Sequence, residues 1–310
     1  MDVVVVGSLN MDLVVRTARH PLAGETLPGS RLDFFHGGKG ANQAVGAVRL
    51  GARVAMIGAV GTDSFGQALG SALAAEGIDT AGLRRVDQTG TGTAMITVSD
   101  AGENTIVVVP GANLRCDVAW VRQNQALIAS AKVLMLQLEV PMAANLEAAR
   151  VARAQGCQVI FDPAPAPAGP LPPELAALVD HIVPNEREAQ ALTGIAVDTE
   201  AGAREAGGAL LAQGYRRAII KLGGRGALLA GPEGLHLVPG FPVTPVDTTA
   251  AGDAFGAGLA VSLVQGYQPL EAVRRANGVG ALAVTRNGAQ ASMPRVEELE
   301  QFLSLGGEPR

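Results

Sequence analysis

Four β-branched residues in a row, Val3–Val6, constrain the fold of this chain more than any other stretch. A strand with one face in water alternates apolar and polar residues, whereas a strand covered on both faces is apolar throughout. Gly7 ends the run. The pattern therefore predicts a strand inside a parallel sheet with helices on both faces, which is the α/β class.

Strand and helix patterns alternate along most of the remaining chain. The helix patterns lie at 37–50, 65–76, 143–155, 174–179, 254–265 and 270–283. The strand patterns lie at 54–57, 133–138, 159–161, 181–184 and 218–222, with a hairpin pattern at 227–238. The alternation continues across the proline-rich stretch 163–173, which we therefore interpret as a surface turn. Such an alternation predicts a mainly parallel central sheet between helix layers.

Two segments interrupt this alternation. Residues 12–35 lack helical periodicity, and residues 91–110 alternate like a hairpin around 100–103. We expect both segments to pair into one small sheet, a lid over the carboxyl ends of the main strands, where α/β proteins bind ligands. The alternative is two unrelated surface excursions. The predicted division is a core of 1–11, 36–90 and 111–310 and a lid of 12–35 and 91–110.

Composition narrows the range of partners to small molecules. The formal net charge is −5, no basic cluster is longer than a pair, and aromatic residues make up 3% of the chain. These values argue against nucleic acid and anionic membranes as partners. Cys116 and Cys157 have no metal-binding spacing, so we expect two buried, reduced thiols. The N-terminus shows no basic n-region, and no apolar run in the chain approaches about 18 residues, so we predict a cytoplasmic protein.

One acidic residue, Asp253, lies where small residues run into a helix pattern. Ala250, Ala251 and Gly252 precede it, and backbone N–H groups at such a helix start form a natural anion site. An aspartate does not bind phosphate, which suggests a base that accepts a proton from a hydroxyl attacking a phosphate. Taken alone, the stretch favours a helix cap, because caps are common and catalytic bases are rare.

Other polar groups follow other predicted strands. Neither the P-loop nor the dinucleotide-binding glycine pattern is present. The segment from Lys221 to Gly226 places glycines just after a strand. They would let the backbone approach a nucleotide closely, and the alternative is a plain tight turn. Asn185 and Glu188 offer oxygen ligands for hydrated Mg²⁺, or begin a helix. A second group suits sugar hydroxyls, with turns and caps as the alternative. Its members are Asn10, Asp12, Gly38, Asn42 and Glu139.

Two longer motifs resemble the signatures of a known family. Residues 37–44 (GGKGANQA) and 247–253 (DTTAAGD) are similar to the signature motifs of the ribokinase-like (PfkB-type) carbohydrate kinases. Shorter segments at 10–12, 138–139, 184–186 and 285–290 extend the similarity over nearly the whole chain. The resemblance implies a three-layer α/β sandwich with a small β-sheet lid, ATP-dependent phosphorylation of the ribose 5-hydroxyl, and a homodimer joined through the lid sheets.

The resemblance also implies roles for individual residues. Asp253 would be the base, and the backbone N–H groups of Ala250, Ala251 and Gly252 the anion hole. Sugar-binding positions would be Asn10, Asp12, Gly38, Lys39, Gly40, Asn42, Glu139 and Asp253, although the charge of Lys39 would serve the fold equally well. Nucleotide-binding positions would be Asn185, Lys221, Gly223, Gly224, Gly226, Gly252 and Asn277. Asn277 stands where a histidine is familiar, so we expect altered nucleotide contacts.

Metal positions are implied in the same way. Glu188 would organise Mg²⁺ through water. A monovalent cation, K⁺, would be held mostly by backbone carbonyls. The matching positions are Asp247, Thr249, Ala283, Arg286, Gly288 and Ser292.

Three other functions are alternatives to a ribose kinase. A kinase of the same family for deoxyribose, fructose or a nucleoside such as adenosine is the nearest. A sugar-binding protein without catalysis is a second, although a candidate base and an anion hole argue against it. A dinucleotide-dependent dehydrogenase is a third, which the missing glycine pattern disfavours.

Overall fold

The computed structural model describes residues 1–306, and its larger sheet has nine strands. The strands are β1 Val3–Val6, β2 Asn10–Thr17, β3 Arg31–Gly37, β4 Val54–Gly61, β5 Asp79–Val86, β6 Gly92–Ser99, β7 Asn104–Val109, β8 Val133–Gln137, β9 Gln158–Asp162, β10 His181–Ile182, β11 Ala218–Lys221, β12 Ala227–Gly231 and β13 Gly234–Val238. The predicted core extended to residue 310, so its last residues, 307–310, lie outside the described part.

The helices fill the connections between these strands. They are α1 Lys39–Arg49, α2 Ser64–Ala75, α3 Val118–Gln123, α4 Gln125–Ala129, α5 Met142–Ala154, α6 Pro173–Leu178, α7 Glu186–Thr193, α8 Glu200–Ala212, α9 Ala251–Val264, α10 Pro269–Ala283 and α11 Val296–Ser304. Short 3₁₀ turns lie at Gly111–Arg115, Gly223–Arg225 and Gln290–Ser292. Within residues 1–306, no helix combines the length and apolar character needed to cross a bilayer.

The larger sheet explains the run of valines that opens the chain. Its strand order is β13-β12-β11-β10-β9-β8-β1-β4-β5, parallel from β11 to β5 and antiparallel at β12 and β13. Val3 and Val5 face the layer that contains α1, α9 and α10, while Val4 and Val6 face the layer that contains α5 and α8. Burial on both faces requires apolar residues throughout. The predicted three-layer α/β class is confirmed.

The smaller sheet has the order β3-β2-β6-β7. Strand β2 pairs in parallel with β6, with Asn10 opposite Gly92, while β3 and β7 pair antiparallel at the two edges. The two interrupting segments therefore form one sheet, as predicted, and the alternative of unrelated excursions is wrong. The division of residues between core and lid stays a prediction.

Several elements were absent from the sequence interpretation, among them β5, α8 and α11. Strand β5 lies at the edge of the larger sheet and contains Asp79, Thr80, Arg84 and Arg85. An edge strand has solvent beside it, so the apolar run that marks a central strand is missing. The expected state of the cysteines is confirmed: Cys116 and Cys157 are free and buried, and burial raises the pKa of each thiol to about 12.

Candidate active site

Helix α9 begins at Ala251, after an unusual backbone conformation. Ala250 has φ 59°, in the left-handed region, which costs a non-glycine residue about 1–2 kcal/mol. The N–H groups of Ala250 and Gly252 donate to no backbone carbonyl of the described chain, and the N–H of Ala251 lies 3.3 Å from the carbonyl oxygen of Thr248. Strain of this kind is stored at functional sites, and it leaves unpaired N–H groups at a helix start.

Asp253 is the third residue of α9, and its carboxylate does not cap the helix. The side chain is 5% exposed. Asn42 Nδ2 donates to Asp253 Oδ2 at 2.9 Å, and Gln43 Nε2 donates to Asp253 Oδ1 at 3.1 Å. Burial raises the pKa of Asp253, against the nearby charge of Lys39, which lowers it. The interpretation of Asp253 as a helix cap is therefore wrong, and a raised pKa suits a general base.

A cavity of about 910 Å³ opens beside Asp253. Every predicted nucleotide position lines it: Asn185, Lys221, Gly223, Gly224, Gly226, Gly252 and Asn277. Phe241, Val243 and Val284 add an apolar section. Gly226 has φ 98°, and a Cβ there would lie 2.1 Å from the carbonyl oxygen of Val238. Only glycine allows this close approach, so the glycine turn after β11 is both a tight turn and a wall of the cavity.

Asn277, which replaces a familiar histidine, anchors the cavity wall. Its Nδ2 donates to the carbonyl oxygens of Val238 and Pro239, each at 3.1 Å. Both amide hydrogens are therefore used by the backbone, and the side-chain oxygen is the group left to contact a ligand. A nucleotide role for Asn277 stays a prediction.

Asn185 and Glu188 begin helix α7 with a capping box. Asn185 Oδ1 accepts from the N–H of Glu188 at 2.9 Å, and Glu188 Oε2 accepts from the N–H of Asn185 at 2.7 Å. The helix-start role considered for them is therefore real. Over residues 1–306 no group of three or more His, Cys, Asp or Glu could hold a metal ion. A role of Glu188 towards Mg²⁺ stays a prediction.

The predicted sugar positions gather around the start of α1. Ser8 Oγ donates to Glu139 Oε2 at 2.5 Å, and the N–H of Lys39 donates to the same oxygen at 3.1 Å. Burial, with the charges of Glu139 and Asp253, raises the pKa of Asp12 to about 7. Glu139 therefore lies at the start of α1, and its charge and that of Asp253 act on Asp12. Carboxylate oxygens in such a cluster accept hydrogen bonds from hydroxyl groups.

Two glycines allow this gathering. Gly38 has φ 89°, and a Cβ there would lie 2.6 Å from the backbone nitrogen of Asn10; a Cβ on Gly40 would lie 2.6 Å from that of Ser8. Any side chain would push the start of α1 away from the loop between β1 and β2. Both positions therefore shape the site through the backbone.

Lys39 and Asp253 belong both to the residues that line the cavity and to the predicted sugar residues at the start of α1. Both line the cavity, while the Lys39 N–H contacts Glu139 and the Asp253 carboxylate contacts Asn42. Burial alone would lower the pKa of Lys39, but the charges of Asp253, Asp162 and Glu139 together raise it. Lys39 is thus a permanent cation where the two groups of residues meet.

The predicted monovalent-cation positions lie on two adjoining segments, the loop before α9 and the end of α10 with the residues that follow it. Asp247 Oδ1 accepts from the N–H of Thr249, and Asp247 Oδ2 accepts from the N–H of Gly288, each at 2.9 Å. The N–H of Arg286 lies 3.2 Å from the carbonyl oxygen of Ala283. Ser292 Oγ donates its proton to the carbonyl of Ala289 at 2.8 Å, which leaves the hydroxyl oxygen free to accept. Such oxygens fit K⁺, but the site stays a prediction.

Sequence reasoning missed several residues that hold the site together. Asn113 Nδ2 donates to Asn10 Oδ1 at 2.8 Å, and Asn113 Oδ1 accepts from the N–H of Leu9 at 2.9 Å. Asp162 and Gln137 end β9 and β8, so the strand-end criterion applied elsewhere would have found them. Asn113 lies in a 3₁₀ turn with no sequence signal of its role.

Comparison with known proteins agrees with this geometry. Residues 1–296 match the sequence profile of the pfkB family carbohydrate kinases. Ribokinase of Haemophilus influenzae is 41% identical over 299 residues, which cover 96% of this chain and 97% of the relative. Deoxyribokinase of Salmonella typhi is 36% identical over 306 residues, covering 98% and 99%. The solved structure of Arabidopsis thaliana ribokinase with ribose and ATP has a TM-score of 0.92 at 32% identity, covering 97% and 98%.

Proposed function

Since the chain belongs to the pfkB family of carbohydrate kinases, we propose that it transfers the γ-phosphoryl group of ATP to the 5-hydroxyl of D-ribose, giving ribose 5-phosphate and ADP. The observation that carries this proposal is the position of Asp253. Its buried carboxylate contacts the predicted sugar residue Asn42 and also lines the cavity of the predicted nucleotide residues. A base at that junction lies between an acceptor hydroxyl and a phosphate.

In the proposed reaction Asp253 accepts the proton of the sugar hydroxyl. The hydroxyl oxygen forms a bond to the γ-phosphorus, and the bond to the bridging oxygen breaks, so that ADP leaves. The N–H groups of Ala250 and Gly252, with the charge of Lys39, stabilise the negative charge on the transferring group. The N–H of Ala251, also predicted for the anion hole, donates to the Thr248 carbonyl at 3.3 Å. Magnesium would neutralise phosphate charge when bound, with a water ligand held by Glu188.

Ribose would be held by hydrogen bonds from the group at the start of α1. Asn42 Oδ1 is buried and has no hydrogen-bond partner within the described residues. A buried acceptor of this kind costs free energy until a donor reaches it, and a sugar hydroxyl would be that donor. Asn10, Asp12 and Glu139 would contact other hydroxyls. We propose that the lid, residues 12–35 and 91–110, closes over the sugar and excludes water.

The assay that tests this proposal is ADP release with ATP, Mg²⁺ and one acceptor at a time, in potassium or in sodium alone. We expect D-ribose to give the highest kcat/KM among ribose, 2-deoxyribose, fructose and adenosine, with faster turnover in potassium. Equal rates in both salts would remove the proposed cation site at Asp247, Thr249 and Ser292. Silence with every acceptor would contradict the kinase proposal itself.

A deoxyribose kinase is the second candidate, because deoxyribokinase of Salmonella typhi is 36% identical over nearly the whole chain. The two sugars differ by one hydroxyl. A site that hydrogen-bonds this hydroxyl rejects the analogue that lacks it, because a buried polar group would lose its partner. A kcat/KM for 2-deoxyribose above that for ribose would therefore transfer the assignment to deoxyribose.

We propose that two copies join through their lid sheets in the cytoplasm. Exposed apolar side chains on the smaller sheet support this: Leu32, Phe34, Met95, Ile106, Val107 and Val109 are each at least half exposed. Edge strand β7 is exposed along its whole length, and such edges are normally paired or covered. Two free, buried cysteines are consistent with a reducing compartment.

Light scattering is expected to give twice the chain mass of 31.5 kDa. Val107→Ser combined with Phe34→Ser is expected to shift the mass toward a single chain, since both side chains lie on the exposed sheet. Leu270→Gln is the matched control, because Leu270 is 40% exposed but lies on α10. A single-chain mass for the unmodified protein at assay concentration would contradict the dimer.

A further inference from the structure

Gln43 lies between two carboxylates in the centre of the fold. It follows Asn42 on α1 and is fully buried. Its Nε2 donates to Asp253 Oδ1 and to Asp162 Oδ2, each at 3.1 Å. An amide NH₂ carries two hydrogens, so both are used on carboxylates. The proposed reaction leaves this residue without a role.

The orientation of the Gln43 amide is fixed by a hydrogen bond to its oxygen. Gln137 Nε2, at the end of β8, donates to Gln43 Oε1 at 2.6 Å. A flipped Gln43 amide would place its oxygen against two carboxylates and its NH₂ against another NH₂. Gly7 makes room for Gln137, since a Cβ on residue 7 would lie 2.0 Å from Gln137 Oε1. One orientation of Gln43 is therefore compatible with its neighbours.

The same cluster reaches the cavity. Lys221 Nζ donates to Asp162 Oδ1 at 3.0 Å, and Lys221 lines the cavity. Asp253 is thus tied through Gln43 and Asp162 to a cation on the nucleotide side. The charged groups that act on the pKa of Asp253 are Lys39 on α1, Asp162 at the end of β9 and Glu139 after β8, and Asp12 on β2 is in turn affected by the charge of Asp253.

We propose that Gln43, oriented by Gln137, is a positioning residue that fixes the rotation of the Asp253 carboxylate and holds it ready to accept a proton. With Oδ1 held by Gln43, the oxygen beside Asn42 is the one presented to the acceptor hydroxyl. An N–H donated to a carboxylate also stabilises its ionised form. This inference rests on the proposed kinase function, in which Asp253 is the base.

Gln43→Met keeps the length of the side chain and removes both donors. We expect kcat to fall on the order of 10-fold to 10²-fold, as for a misplaced catalytic group, with little change in ribose binding by calorimetry. The acid limb of the pH profile of kcat/KM should move to higher pH, because Asp253 loses a donor to its ionised form while staying buried. Gln67→Met is the matched control on the exposed side of α2.

Gln137→Met provides a second, milder variant, because it removes only the bond that orients Gln43. We expect a smaller fall in kcat and an acid limb moved in the same direction, and this variant serves if Gln43→Met fails to fold. An acid limb that stays in place in a folded variant would overturn the proposal, whether or not turnover falls. Carboxyl ¹³C NMR measures the pKa of Asp253 in the unmodified protein and in Gln43→Met without any turnover. It therefore separates a failure of the positioning role of Gln43 from a failure of the kinase proposal.

Discussion

Replacing Asp253 with asparagine is expected to lower kcat by about 10²-fold or more while the fold is kept. The amide has nearly the shape of the carboxylate but cannot accept the proton of the sugar hydroxyl. Removal of a buried charge removes its desolvation cost, but the new NH₂ group must face the NH₂ group of Asn42 or Gln43. The two effects oppose each other, so the melting temperature should change little. The measurements are kcat by ADP release, the Kd for ribose by calorimetry, and the melting temperature.

A matched control for this variant is Asp180→Asn. Asp180 is also buried, but it contacts Arg153 and the N–H of Val159 near the amino end of β9, away from Asp162 at the carboxyl end. We expect this control to lose stability and keep its kcat, which is the reverse of the Asp253→Asn pattern.

Near-normal turnover in Asp253→Asn would remove Asp253 from the role of base.

The pH dependence of the unmodified enzyme follows from the same carboxylate. Burial raises the pKa of Asp253 above its ordinary value of 3.8. A general base acts in its ionised form, so activity should be present above the raised pKa and lost as the pH falls through it. The acid limb of kcat/KM should therefore lie above pH 3.8 and should be absent from the residual activity of Asp253→Asn.

The fold was predictable where the burial of an element produces a recognisable pattern of apolar residues in its own sequence. Val3–Val6 predicted a central strand, and the β6–β7 hairpin showed the alternation of a sheet with exposed positions. Strand β5 was missed because an edge strand keeps polar residues. Helix α8 was missed because Gly202, Gly207 and Gly208 dilute its helical pattern. The local sequence pattern matches the tertiary environment in β1 and the β6–β7 hairpin, but not in β5 and α8.

The role of Asp253 depended on where a helix begins. The sequence pattern predicted a helix from residue 254, which made Asp253 a natural cap. Helix α9 in fact begins at Ala251, because Ala250 adopts the left-handed conformation that alanine disfavours. No local preference predicts a strained residue, since the surrounding structure imposes it. The contacts of Asp253 with Asn42 and Gln43 are likewise set by packing between α1 and α9, far apart in the chain.

Lys39→Met is expected to lower kcat/KM for ATP by about 10²-fold to 10³-fold, the size typical for loss of one group that stabilises transition-state charge. Lys39 is a half-buried cation that lines the cavity beside Asp253. Without it, the transferring phosphoryl group would meet Asp253, Asp162 and Glu139 with less charge compensation. Steady-state kinetics with ATP and with ribose varied in turn measure the effect, and Lys132→Met, at an exposed lysine paired with Asp2, is the control.

Stability should respond to Lys39→Met in a pH-dependent way. The pKa of Lys39 is raised above its ordinary value of 10.5. Its stabilising charge is therefore present throughout the range from pH 6 to pH 8. Without Lys39 the pKa of Asp253 should rise further, because burial raises it and the charge of Lys39 is what lowers it. As the pH increases towards that raised pKa, a larger fraction of the folded protein must carry the buried, uncompensated carboxylate, so the melting temperature should fall more at pH 8 than at pH 6. A loss confined to the KM for ribose, with kcat and the ATP dependence unchanged, would instead assign Lys39 to the sugar alone.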